Sequence, residues 1–144
     1  MKATLSELLA FLVAGRGKTN SFYPRIINAL RKKETPGLGT MGVTLQEDAM
    51  VLHYDPCVLE KLEHGQVVLI LIHEVLHLAL NHIPRFLRLT ATATTDLQRR
   101  KIQAVANIAM DYAVNSLMVQ VHECSRRDLQ EGMGDFRAIY PTDV

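Results

Sequence analysis

A chain of 144 residues, 48% apolar and 22% charged, has the composition of a soluble globular domain with room for its own core. A net charge of +1 gives no phosphate-steering surface, so nucleic acid is not an expected partner, and the triplets Arg31-Lys32-Lys33 and Arg99-Arg100-Lys101 read as solvated helix ends. Two widely spaced cysteines, Cys57 and Cys124, exclude a disulfide framework and a Cys-x-x-Cys metal pair; they fit a reducing, cytoplasmic setting, with Cys57 as a small buried hydrophobe.

Taken in chain order, Thr4-Leu5-Ser6-Glu7 forms a capping box at the start of an amphipathic helix, Leu5 to Ala14, stopped by Gly15-Arg16-Gly17. The capping box and Glu7 argue against a signal peptide. A second helix is predicted from Pro24 to Lys33, with proline in its first turn and Thr35-Pro36-Gly37 after its end. Gly39 to Leu45 and Met50 to Tyr54 read as strands joined through Gln46-Glu47-Asp48-Ala49. A short helix from Cys57 to Glu63 breaks at His64-Gly65, and a strongly apolar helix runs from Gln66 to about Arg88, unless Pro84 ends it earlier. Leu89 to Thr95 is a connector, and a long helix covers roughly Asp96 to Val121, with Ile102, Val105, Ala106, Ala109, Ala113, Leu117 and Val121 as its apolar positions. The polar stretch after Glu123, with Gly132-Met133-Gly134, reads as an irregular tail. No uncharged apolar run reaches the length of a membrane span, so no membrane partner is expected.

The chemistry concentrates in the apolar helix. His73-Glu74-Val75-Leu76-His77 is an H-E-x-x-H pattern: two histidines one turn apart share a helical face and can share a metal ion, and the adjacent glutamate can act as base on a metal-activated water. At about 100° per residue, His77 falls about 40° from His73, Asn81 about 80°, Glu74 about 100°, Gln66 about 20° and His82 about 180°. One narrow polar stripe thus runs along a helix that is otherwise Val, Leu, Ile and Ala, where unpaired polar groups are costly.

A hydrolytic zinc site needs a third protein ligand and an open position. Asp111 is the leading choice. With Asn107 and Asn115 it forms a second polar stripe, spaced four apart on the Asp96 helix, and two such stripes are most simply explained if they face each other. His82 is the alternative third ligand, reaching the metal only if the helix breaks. Asn107, Asn115 and Asn81 are candidate second-layer residues that orient the ligands. His53, Tyr54, Tyr112 and His122 stay open as stabilisers of an oxyanion.

Residues from about Asn28 to Leu117 resemble a bacterial and phage family of metallopeptidase domains, zincin-like and often found ahead of a von Willebrand A-like domain. The matching pieces are Met41-Gly42-Val43, Leu52 to Pro56, Leu71 to His82 and Asn107 to Asn115. The block with Asp111 and Asn115 discriminates best, because H-E-x-x-H occurs in many zinc peptidase families. The resemblance implies a zincin-type fold, a Zn2+ cofactor and a sheet edge above the metal helix on which an extended peptide can add as a strand. The family pattern also carries a histidine at the His82 position. By analogy, an AAA-type ATPase or a von Willebrand A-like protein is the implied partner. Family members continue past the Asp111 helix, whereas Tyr140 to Val144 reads like the middle of a loop, as in a truncated product.

The combined expectation is an α+β domain, mostly helical, with a small hairpin or sheet near the H-E-x-x-H helix. It is a single metallopeptidase domain over 1–144, comprising N-terminal helices over 1–35, a zincin core over 36–122 and a tail over 123–144. The expected function is zinc-dependent peptide hydrolysis, with His73, His77 and Asp111 on the metal and Glu74 as general base. The alternatives are a zinc-stabilised adaptor domain without catalysis and a metal hydrolase acting on something other than peptide.

Overall fold

The structure, a computed structural model, describes residues 22–121. The helix predicted over Leu5 to Ala14, the tail after Glu123, His122 and Cys124 lie outside the described residues. Helices and a small mixed sheet give the α+β architecture expected from the sequence. By their contacts the residues divide into two compact units between Val75 and Leu76.

In the first unit, α1 (Phe22–Ala29) is followed by β1 (Arg31–Glu34), β2 (Met41–Gln46), β3 (Ala49–Tyr54) and α2 (Pro56–Lys61). The three-stranded sheet has the order β1-β3-β2, with β1 parallel and β2 antiparallel to the central β3. As a central strand, β3 buries consecutive residues, Val51 and Leu52, which point to opposite faces. The hairpin between β2 and β3 is tighter than predicted. Its two turn residues, Glu47 and Asp48, have φ of 47° and 63°, the left-handed pair of a type I′ turn, whose twist matches that of the strands.

One prediction here is corrected. The helix expected to reach Lys33 ends at Ala29, and Arg31-Lys32-Lys33-Glu34 is a strand. Its register, Arg31 opposite Val51 through Glu34 opposite Tyr54, is set by backbone pairing to β3 and not by any alternation of its own side chains. The Tyr54 hydroxyl donates to Glu34 Oε1 at 3.2 Å, and Lys32 Nζ donates to the carbonyls of Asn28 and Leu30 at 3.2 and 3.0 Å, sealing the end of α1. Cys57, expected to be buried, is exposed. It lies in the first turn of α2, where its amide donates to Asp55 Oδ1 at 3.0 Å.

The helix α3 (His64–Ala79) runs across the division. It opens with half of a capping box: Gln66, in the first turn, reaches back so that its Oε1 accepts the Glu63 amide at 2.9 Å. Val67, Val68, Ile70, Leu71, Ile72, Val75 and Leu76 are buried, so the helix is covered nearly all round, as its unbroken apolar run requires.

The second unit holds α4 (His82–Ala91) and α5 (Asp96–Val121). The single helix predicted from Gln66 to Arg88 is two helices bent by 59°. Asn81 is the cause: it sits at φ 58°, ψ 36°, a left-handed conformation asparagine tolerates better than most residues, and its amide bonds to Leu78 O at 3.0 Å in a tightened last turn. Pro84 then falls in the first turn of α4, where its missing N–H costs nothing. A box at Thr94-Thr95-x-x-Gln98 starts α5: Thr95 Oγ1 accepts the Gln98 amide at 3.1 Å, and Gln98 Oε1 accepts the Thr94 amide at 2.9 Å. Among the described residues no single helix is long and apolar enough to cross a membrane.

The inward face of α5 also differs from the apolar positions predicted for it. Ala106, Val114, Asn115 and Met118 are buried, while Val105 is 68% exposed. Apolar residues surround this helix, so periodicity could not choose a face. The stripe expected to face the histidines holds the fully buried Asn115, with Asp111 half-buried beside it.

Candidate metal centre

Three side chains from two helices converge. His73 and His77 stand one turn apart on α3, and Asp111 comes from the middle of α5. Donor atoms of His73, His77 and Asp111 lie within 4.8 Å of one another, so the group could hold a metal ion. Within the second unit, His77 Nε2 is 3.1 Å from Asp111 Oδ1. Two imidazoles and one carboxylate suit a borderline ion such as Zn2+, and three protein donors leave a fourth position for water or substrate. His73 is buried and His77 half-buried, which favours partnered donors over solvated ones.

His82 is placed by the break at Asn81. It is buried, 5% exposed, and its Nδ1 lies 2.8 Å from Nδ1 of His77, with ring centroids 5.1 Å apart in an edge-to-face arrangement. The projection that put His82 on the far side of α3 assumed a regular helix through Asn81, and that assumption fails. The ring still does not join the three-residue donor group. It meets the other nitrogen of His77.

Glu74 is half-buried, and its Oε2 accepts the backbone amide of Val43 at 3.2 Å. Val43 is on β2, an edge strand, opposite Leu52 of β3. Alternate amides of an edge strand have no partner in the ladder, and this one is met by the glutamate of the H-E-x-x-H pattern. A backbone amide carries no sequence signature, so Val43 was not foreseeable. The contact between His77 and His82 was signalled faintly, by Pro84, a proline able to end the helix.

The asparagines separate. Asn115 is fully buried, whereas Asn107 and Asn81 are exposed, so the structure does not gather all three around the donors. The candidates for oxyanion stabilisation have other contacts. The His53 ring is held between Thr35 Oγ1 at Nδ1, 3.1 Å, and Thr44 Oγ1 at Nε2, 2.8 Å. The Tyr54 hydroxyl is turned to Glu34, and burial, then the Glu34 carboxylate, pushes its pKa up. Tyr112 is exposed.

Asp55, which sequence reasoning treated only as part of a matching block, organises the loop beside the sheet. It caps α2 through the Cys57 amide and accepts the Gly39 amide on Oδ2 at 2.9 Å. The Gly39 amide foremost, with those of Cys57 and Gly37 and the charge of Lys61, holds its carboxyl below the usual range against the opposing effect of burial.

An α+β fold in which one helix presents two histidines a turn apart, with a carboxylate from another helix beside them, could hold a metal ion. The chain belongs to the family described as "Putative metallopeptidase domain", whose model matches residues 9–123. No curated protein and no solved structure matches the chain.

Proposed function

We propose that this domain is a zinc-dependent peptidase. Family membership supports metal-dependent peptide hydrolysis in general. The observation that carries the finer reading is the grouping of His73, His77 and Asp111, with Glu74 next in sequence to the first histidine and its carboxylate bonded to the sheet edge.

His73, His77 and Asp111 would hold the ion. When bound, zinc supplies Lewis acidity and lowers the pKa of water to about 7. Glu74 takes a proton from the attacking water at a carboxylate oxygen and returns it to the leaving amine. The Val43 amide holds Glu74 toward the edge of β2. That edge suits an extended peptide, which adds by main-chain hydrogen bonds and so makes few demands on its side chains.

Glu74→Gln tests the reading, because glutamine keeps shape and removes the base. Unfolded casein and a quenched-fluorescence peptide library, assayed with wild type and variant under matched zinc loading, should show a loss of about 100-fold or more in rate with zinc content unchanged. A zinc-loaded wild type that cleaves neither substrate would favour a structural-zinc adaptor.

A further inference from the structure

We propose that His82 is a positioning residue that acts through His77, selecting which nitrogen of His77 is available to a metal; this rests on the zinc-site reading above. The two Nδ1 atoms are 2.8 Å apart and His82 is buried, so between two neutral rings one hydrogen lies on the line joining them. That allows two arrangements. In one, His82 Nδ1–H donates to His77 Nδ1, and His77 carries its own proton on Nε2, directed at Asp111 Oδ1 3.1 Å away. In the other, His77 Nδ1–H donates to His82 Nδ1, and Nε2 of His77 presents a bare lone pair beside Asp111.

Only the second arrangement can ligate a metal through Nε2, the atom the geometry points at the carboxylate. Metal-ligating histidines generally donate their other ring N–H to a fixed acceptor, which sets tautomer and ring orientation. Here that acceptor is an imidazole, which unlike a carboxylate or carbonyl can both accept and donate. The break at Asn81 is what brings His82 into this place: a straight helix would carry it to the far side.

The test uses the whole chain and Zn2+ alone, with affinity read by competition against a chromophoric chelator. His82→Leu should weaken zinc binding about 10- to 100-fold. His82→Asn places an amide oxygen near the position of Nδ1, and should bring affinity back to within a few-fold of wild type. Nitrogen-15 spectra of histidine-labelled wild type should show His77 protonated on Nδ1 and metal-bound through Nε2 when zinc is added. This measurement stands even if a variant folds poorly. Wild-type affinity in His82→Leu, equal losses in the Leu and Asn variants, or zinc on Nδ1 of His77 would each overturn the inference while leaving the zinc site intact. A wild type that takes up no zinc would instead overturn the proposed function, and this inference with it.

Discussion

At the level of single residues, His77 stands between Asp111 at one ring nitrogen and His82 at the other. Asp111 and His82 are therefore not interchangeable. The Asp111 side chain is 39% exposed, so it contributes little to the core. Asp111→Ala should cause a large loss of zinc affinity, well beyond tenfold, with little change in the metal-free melting temperature; calorimetric titration and thermal unfolding on the same samples check both. A variant that binds zinc as wild type does would remove Asp111 from the ligand set. Asp55 behaves oppositely, being structural and unconnected with metal. Its folded pKa lies below the ordinary 3.8, so its stabilising contribution is complete above that value and is lost as pH falls through the folded pKa. Asp55→Asn should lower the melting temperature near neutrality and flatten its decline on acidification. An unaltered acid limb in the variant would show that the Gly39 and Cys57 contacts do not set the carboxyl's pKa.

At the level of elements, turn chemistry and helix breaks decide the outcome more than propensity does. Glu47 and Asp48 both occupy left-handed backbone, which costs roughly 1–2 kcal/mol per ordinary residue. Replacing the pair by Asn-Gly (E47N/D48G) should stabilise the hairpin by about 1 kcal/mol in chemical denaturation. No gain would mean that the type I′ geometry is relaxed or already compensated. The apolar helix, the Asp96 helix and the two hairpin strands were legible, because apolar runs and turn residues are local signals. The strand Arg31–Glu34 was not, since four charged residues carry no strand pattern and only the backbone of β3 recruits them. The end of α3 was half legible: Pro84 warned of a break, but the left-handed Asn81 that sets its position did not announce itself. The inward face of α5 misled because Val105, Ile108 and Tyr112 make its outward side apolar as well. The same limit applies around the metal group. The spacing of His73 and His77 and the stripe through Asp111 could be read from side chains, whereas the Val43 amide on Glu74 depends on a sheet edge that no residue type encodes.

For the molecule as a whole, the central claim is that one ion draws together donors far apart in sequence, His73 and His77 on one side and Asp111 on the other. Binding to the folded state alone should stabilise it, by about 2.7 kcal/mol when free zinc stands at a hundred times its dissociation constant. The most direct measurement is metal content by elemental analysis of protein purified without added metal, alongside the double variant His73→Ala, His77→Ala. One zinc per wild-type chain, none in the double variant, and a zinc-dependent rise in melting temperature confined to wild type are expected. Equal zinc content and an equal thermal shift in the two proteins would contradict the claim.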